Sequence, residues 1–420
     1  MYERSERFGG RIYTLRGLGP KHDLTADMGA YRFVDYPTSE SASWSYIYTP
    51  LVANLVENAL GLHYAPYEPG DPTSHMKKIV DAEGQNAGFR TFVESMEATL
   101  RTYGSRFALT FHEELTSIRP AATAGGSTVL TFASGRTVIA RNVVLNLPQL
   151  PLLKVLRGSE TLLREGGVPP SLQTPAPVDG VKLYVHYTQA WWHNILNLTS
   201  GSFGPSMHNT TATTTALDPQ LAGRYHDGHT RCDGPAGAEC RGFLEATYIY
   251  QDRARWFLNY QPSSDPPYTL LNYSEPTGQF ALDLVHAALL RVHKAALDAV
   301  PGYNATALVE QMRPEFALLS YWGPQTTGYG GAVHSTRYIA PRSPRHGRAA
   351  PLRPRNVPPR CPASLAPLTV PAEGPNAERV ALLPCHCHCN CRCQARLHGR
   401  IGTCAASYEA FWRATDLRGQ

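Results

Sequence analysis

Between Ala340 and about Ala395 the chain cannot fold as the rest of it can. The run PRSPRHGRAAPLRPRNVPPRCPASLAPL carries too many prolines for a helix or a central strand, since each removes a backbone donor and fixes φ. It also holds too few large apolar residues to bury a core. Any core must therefore come almost wholly from the first 340 of the 420 residues, a length sufficient for two or three domains. The charge divides at the same point. Residues 341 to 420 hold 12 Arg, no Lys and 4 acidic residues, a net of +8, which leaves 27 basic and 30 acidic groups before them, a net of −3. The basic character belongs to the tail, and no nucleic-acid partner is expected for the body. Seven of the nine cysteines and 11 of the 34 prolines also fall in the tail, so a disulfide framework spread through the fold is not expected.

With 42% hydrophobic and 17% charged residues, the composition excludes a disordered, collagen-like or small disulfide-stapled protein. No stretch approaches the roughly 18 to 20 apolar residues of a membrane span, and the opening MYERSERFGGRIYTLRGLGPKHDLT is charged where a signal peptide would be apolar. The compartment and the oligomeric state stay open. The Asn-x-Ser/Thr sequons at Asn197, Asn209, Asn272 and Asn304 are read as incidental without a leader.

The pattern of elements is mixed. Thr49-Pro50 predicts a helix start and Gly61 its end; Phe89, Phe92, Val93, Met96 and Leu100 predict a helix over about 88–103, stopped by Gly104. Residues 107–118 read as extended, 129–132 and 137–140 as a hairpin turning at Ser134-Gly135, and Asn142 to Leu147 as a buried strand. VKLYVHY, residues 181–187, alternates in period two and predicts a strand, followed by Trp191-Trp192. Residues 199–240 read as an excursion loop. A helix over about 278–300 is expected to bury Phe280, Leu284, Ala287, Ala288, the stem of Arg291 and Ala295, and a last strand covers about 317–322.

The strongest local signal is Glu3-x-x-x-Arg7-x-Gly9-Gly10-Arg11. A carboxylate at the end of a second strand can accept both ribose hydroxyls of an adenosine, and adjacent glycines let the backbone approach a pyrophosphate whose charge nearby arginines offset.

ERSERFGGRIYT followed by DMGAYRF resembles the second half of the dinucleotide fingerprint and the flavin-contact segment of the flavin-containing amine oxidase superfamily. The resemblance runs on in order through GFRTFVESMEATL, LTFHEELTSI, RNVVLNLPQLPLLKV, GVKLYVHYTQAWW and YWGPQTTGYGGAVHST, about 330 residues in all. It implies an α/β fold, with mixed α+β character, in which a Rossmann-like FAD-binding domain is interleaved with a mixed-sheet substrate domain. Residues 1–36 and 105–155 would belong to the FAD domain, 37–104 to a helical substrate-domain segment, 156–340 to the substrate domain, 341–395 to a disordered insert, and 396–420 to the start of a C-terminal FAD segment. The resemblance further implies FAD contacts at Glu3, Arg7, Gly9, Gly10, Arg11, Gly29, Ala30, Leu115, Trp322 and Glu409.

Two polar residues acquire implied roles. Lys182 matches the family lysine that holds a water against flavin N5, where an ammonium stabilises charge on the reduced ring; a lysine snorkelling from a strand end is the plain alternative. Arg32 follows GAY as an arginine follows GAM or GPM in L-amino-acid oxidases, where it pairs with the substrate carboxylate; a surface arginine is the alternative, and the choice decides between an amino acid and an amine. Tyr31, Trp192, Trp191 and Trp322 are candidate aromatic walls, while Val333 stands where several members place an aromatic. The implied reaction oxidises the CH–NH2 group of an L-amino acid or amine, with oxygen as acceptor and release of peroxide. A carotenoid desaturase or porphyrinogen oxidase would have little use for Lys182 or Arg32.

The G-x-G-x-x-G unit that opens such folds is not in this sequence, which begins with Glu3 already at the second strand, and SYEAF at 407–411 resembles only the start of the final segment. The sequence is thus read as incomplete at both ends, and the second interpretation is a non-catalytic or truncated member unable to retain FAD. In that case Cys385-His386-Cys387-His388-Cys389-Asn390-Cys391-Arg392-Cys393 could make a metal-binding tail, although strict alternation also fits a translated six-base repeat, and no metal ligands are assigned.

Overall fold

A computed structural model describes residues 1–34, 50–68, 76–122, 127–159, 176–204, 219–226, 228–234, 239–260, 267–302, 304–323 and 333–335. The chain divides into Met1–His388 and Cys389–Gln420, and every described residue belongs to the first unit. The proline-rich stretch, the Cys/His run and Glu409 lie outside the described residues.

Helix and sheet are mixed throughout. An antiparallel pair, β1 (Thr14–Leu18) and β2 (Leu24–Asp27), comes first. A small sheet follows, with β5 (Met76–Ile79) between β3 (Phe33–Val34) and β4 (Tyr64–Pro66). Helix α1 (Pro50–Asn54) passes directly into a π-helical turn at Leu55–Ala59, and Gly61 ends it at φ +60°. Helix α2 (Arg90–Arg101) buries Phe92 and is followed by Gly104 at φ +59°, a left-handed conformation that glycine adopts without strain. Next is the meander of β6 (Leu115–Pro120), β7 (Thr128–Phe132) and β8 (Thr137–Ala140), then α3 (Gln149–Arg157).

The largest sheet is built around β10 (Gly180–Tyr187), which lies just after the short β9 (Ala176–Val178). Its other members are β11 (Ser202–Phe203), β12 (Gly223–Arg224), β13 (Thr230–Cys232), β14 (Cys240–Tyr250), β15 (Thr269–Asn272) and β16 (Phe316–Trp322). The order is β11-β12-β14-β10-β16-β15, with β13 also on β14; β17 (Val333–Ser335) pairs with β9 apart from it. Helix α4 (Trp191–Asn194) follows β10; α5 (Pro276–Asp298) and α6 (Ala305–Gln311) precede β16.

All eight residues of β10 are buried, so both faces of the sheet are covered. The period-two alternation assigns the faces. Val181, Leu183, Val185 and Tyr187 join the main core with Ala281, Leu282, Val285 and Leu289 of α5. The opposite parity presents Lys182, Tyr184 and His186; Tyr184 packs with Leu24, Ala26 and Met28 from β2 and its continuation. The candidate site lies on this second face.

Several expectations are corrected. Helix α5 has the predicted extent but a different buried face: Phe280 is 59% exposed, Arg291 and Ala295 are exposed, and Ala281, Leu282, Val285, His286, Leu289 and His293 are buried, with Ala288 buried as expected. Two histidines decide the face. His286 Nδ1 meets the Tyr187 hydroxyl at 2.9 Å and His293 Nε2 meets that of Tyr225 at 2.8 Å, so polar side chains are buried with partners, which hydropathy cannot foresee. Residues 142–147 form no strand; Val143 and Leu145 reach the core from an irregular segment while Val144 faces out. Residues 107–118 become strand only from Leu115. The supposed excursion at 199–240 contributes β11, β12 and β13, and the 11-residue β14 beyond it gave no separate sequence signal.

Among the described residues every ladder is antiparallel, and one isolated bridge is parallel, Tyr2 with Thr110. Backbone bonds extend it on both sides: Thr110 N–H to Met1 O at 3.0 Å, Glu3 N–H to Thr110 O at 2.9 Å, and His112 N–H to Ser5 O at 3.3 Å. No described helix is long and apolar enough to cross a membrane.

Candidate active site

Asp27, Met28 and Gly29 cross the second face of the large sheet with their carbonyls turned to it. Lys182 Nζ donates to Asp27 O at 3.0 Å and to Gly29 O at 2.5 Å, and the Tyr184 hydroxyl donates to Asp27 O at 3.2 Å. From the neighbouring strand β16, Ser320 Oγ and Trp322 Nε1 both donate to Met28 O, at 2.8 and 2.7 Å. On the other edge of the segment, Gly29 N–H and Ala30 N–H donate to the carbonyls of Tyr13 and Arg11. A Cβ on Gly29 would stand 1.9 Å from Arg11 O, so this crossing admits only glycine.

The segment delivers Tyr31 to a cavity of about 230 Å³ that Asp27, Tyr31, Tyr67, Trp192, His226 and His229 help to line. Lys182 stands behind this wall, its Nζ 3.6 Å from the centroid of the Tyr31 ring and 2% of the residue exposed. Two guanidinium groups flank the tyrosines. Arg32 lies over the rings of Tyr31 and Tyr67 at 4.8 and 4.6 Å, and Arg224 Nη1 donates to the Tyr67 hydroxyl at 3.0 Å and the Tyr31 hydroxyl at 3.4 Å. The two tyrosines of the wall are thus each in contact with both guanidinium cations, a setting that suits a carboxylate.

Asp27 supplies the opposite charge. Oδ1 accepts from Thr14 Oγ1 at 2.5 Å and from Phe89 N–H at 2.9 Å, and Asn86 Nδ2 is 3.4 Å from Oδ2. Burial pushes the carboxyl above its ordinary range, opposed by the hydrogen bonds from Thr14 and Phe89 and by the Lys182 charge. His229 Nδ1 accepts Thr25 N–H at 2.8 Å, which assigns the ring proton of the neutral imidazole to Nε2. Burial lowers His229 to about 4, with the charges of Arg231 and Lys78 adding to the effect. His226 stands edge-on to Tyr67, ring centroids 4.7 Å apart.

The sequence-derived candidates fall into two connected groups. Gly29, Tyr31, Arg32, Lys182, Trp192 and Trp322 surround the crossing segment and the cavity, while Ala30 is exposed beside Arg11. The second group lies along the N-terminal segment and its glycine turn, with Leu115 on β6. Arg7 Nη2 donates to Gly10 O at 2.8 Å and its guanidinium covers the Tyr13 ring at 4.4 Å; Gly9 and Gly10 take φ of +101° and +53°. Glu3 Oε1 accepts from Ser5 N–H and Oγ at 2.9 and 3.0 Å. Leu115 opens β6 opposite Phe132. Arg11 joins the groups by receiving Ala30 N–H.

Sequence reasoning missed Tyr67, Arg224, His226 and His229 and gave Asp27 no role. The only available signal was the pair of histidines in HDGH, residues 226–229, inside a stretch read as loop.

No protein family's sequence profile matches the chain, and no curated protein matches it. Two solved structures, a single and a triple mutant of putrescine oxidase redesigned in cofactor binding, are similar to it. The first has 14% identity and a TM-score of 0.33, with 61% of this chain and 42% of that one covered. The second has 12% identity and a TM-score of 0.36, with 73% and 76% covered. The chain thus spans less than half the length of the first of these.

His229 sets a testable pH dependence. Its native pKa of about 4 lies below the unfolded value of 6.5, so on acidification the unfolded chain takes up a proton first. Native stability is expected to fall by about 3 kcal/mol between pH 6.5 and 4 from this residue. In denaturant titrations across that window, His229→Asn, which keeps an acceptor for Thr25 N–H, should show a slope shallower by about one proton.

Proposed function

We propose that this chain is an FAD-dependent oxidoreductase of the amine oxidase type, acting on the CH–NH2 group of a small L-amino acid or amine with oxygen as acceptor. The observation that carries the proposal is the meeting of Lys182 and Trp322 on the Asp27–Gly29 segment at hydrogen-bond distance, beside an aromatic cavity. These are the pieces that the motif resemblance assigns to one site, and Lys182 and Trp322 each follow the segment by more than 150 residues in sequence.

The second group fits a dinucleotide. Among the described residues no partner reaches Glu3 Oε2, and the carboxylate stands next to the isolated parallel bridge between Tyr2 and Thr110. At Gly10 no atom lies within 4 Å of where a Cβ would stand, so its backbone is open to close approach. In this proposal Glu3 takes the ribose hydroxyls, Arg7, Gly9, Gly10 and Arg11 the pyrophosphate, Leu115 the adenine, and Gly29, Ala30 and Trp322 the ring system, within a Rossmann-like domain interleaved with the substrate domain. The flavin, when bound, supplies the acceptance of a hydride from the amine-bearing carbon.

The chain's own residues do the rest. A cavity of about 230 Å³ falls below the roughly 300 to 1,000 Å³ of drug-sized ligand sites, so the substrate is small. Arg32, with Arg224 behind the phenols, pairs with the substrate carboxylate; Tyr31, Tyr67 and Trp192 exclude water and face the carbon chain. Asp27, its carboxyl raised by burial, accepts the proton that an ammonium must lose to become a neutral amine. Lys182 places its positive charge beside the reacting centre.

Peroxide release tests the substrate class. Arg32→Ala should raise KM for L-amino acids about 10- to 100-fold, the worth of a lost charged hydrogen bond, and leave simple amines nearly unaffected. Equal changes for both would remove the carboxylate role. Lys182→Met should slow turnover with little change in KM. It should also destabilise the fold by about 1 to 3 kcal/mol in denaturant titration, because the carbonyls of Asp27 and Gly29 lose a buried donor.

A further inference from the structure

Cys232 and Cys240 face each other in register on β13 and β14, and their sulfurs are joined as a disulfide. Helix α4 is fastened to the same point by three hydrogen bonds: Ala190 N–H to Cys240 O at 2.6 Å, Asn194 Nδ2 to Cys240 O at 3.0 Å, and Cys240 N–H to Asn194 Oδ1 at 3.2 Å. This clamp sets His193 against the disulfide, so that one imidazole nitrogen and both sulfurs lie within 4.8 Å of one another. Cys232 is exposed, His193 is half-buried and Cys240 is buried. None of the three takes part in the proposed oxidation.

We propose that His193, Cys232 and Cys240 form a redox-gated site for a soft divalent cation of the zinc class. In the oxidised chain the S–S bond occupies the donors. A dithiol reductant opens it: two electrons and two protons pass to the protein, the S–S bond becomes two thiols, and the reductant leaves as its own disulfide. The cation then binds two thiolates and the neutral imidazole, and the two thiol protons go to solvent. Zinc holds sulfur at about 2.3 Å and nitrogen at about 2.0 to 2.1 Å, which puts its ligand atoms roughly 3.3 to 3.8 Å apart. Starting from separations within 4.8 Å, side-chain rotation suffices once the S–S bond is broken. Thiolate with imidazole selects zinc or cobalt over magnesium or calcium, and three protein ligands leave one position open.

The placement gives the site a consequence. His193 and Cys232 also line the cavity, and Trp192, the neighbour of His193 on α4, is part of its wall. Occupancy by a cation and closure of the disulfide are therefore two states of the same wall.

The test uses the full-length chain with the seven cysteines from Cys361 to Cys404 replaced by serine, so that only this pair can report. After reduction by a phosphine under argon and removal of excess reductant, Co2+ is titrated. One Co2+ per chain with sulfur-to-cobalt charge-transfer absorption is expected, absent before reduction and absent in Cys232→Ser and Cys240→Ser. His193→Ala should weaken binding at least about tenfold, the lower range seen even for loss of an outer-shell partner. No band after reduction, a band that survives either serine substitution, or binding indifferent to His193→Ala would overturn the site. Zn2+ protection of both thiols from iodoacetamide, read by peptide mass without substituting either of them, gives an independent answer: labelling of both at the metal-free rate contradicts the proposal.

Discussion

Three consecutive carbonyls, two buried and one half-buried, hold this site together. A peptide carbonyl removed from water must find a donor or cost about 1 to 3 kcal/mol, and among the described residues the segment Asp27 to Gly29 has no strand neighbour on the side facing the large sheet. The sheet answers with side chains: Lys182 and Tyr184 from β10, Ser320 and Trp322 from β16. One polar layer thus joins the first 30 residues to strands that follow them by more than 150 positions. The placement of Tyr31 follows, because the chain leaves this clamp directly into the cavity wall, and Arg32 then packs against the Tyr31 and Tyr67 rings.

The clamp also explains why charged groups are tolerated in so buried a place. Lys182 is 2% exposed, yet it meets two carbonyls and the face of Tyr31. Asp27 is buried with Thr14 and Phe89 as donors to one oxygen, and Arg32 lies against two rings. Each charge is held by dipoles or aromatic faces in fixed geometry, which is the condition for a polar site that need not reorganise when a charged substrate arrives.

Much of this was legible in the residues. The alternation in VKLYVHY fixes which side of β10 meets α5 and which meets the clamp, and so places Lys182 on the site face. The paired glycines at 9 and 10 do take left-handed φ, and the order of motifs brings Lys182, Trp322 and the DMGAYRF segment to one locus. What stayed hidden depends on partners distant in sequence. The buried face of α5 is chosen by Tyr187 and Tyr225 accepting the company of His286 and His293, and a hydropathy count assigns histidine to neither face. Residues 142–147 have strand composition but no ladder. His229 is recognisable only once Thr25, 204 positions away, is seen to donate to it, and the Cys232–Cys240 pair only once β13 lies beside β14.

The central claim is that the clamp and the glycine turn serve a flavin, and the absorption spectrum of the purified full-length protein tests it most directly. The account predicts a yellow protein with two visible flavin bands, which bleach when a small L-amino acid is added without oxygen and return on admission of air. A colourless protein that gains no flavin bands after incubation with FAD would contradict it.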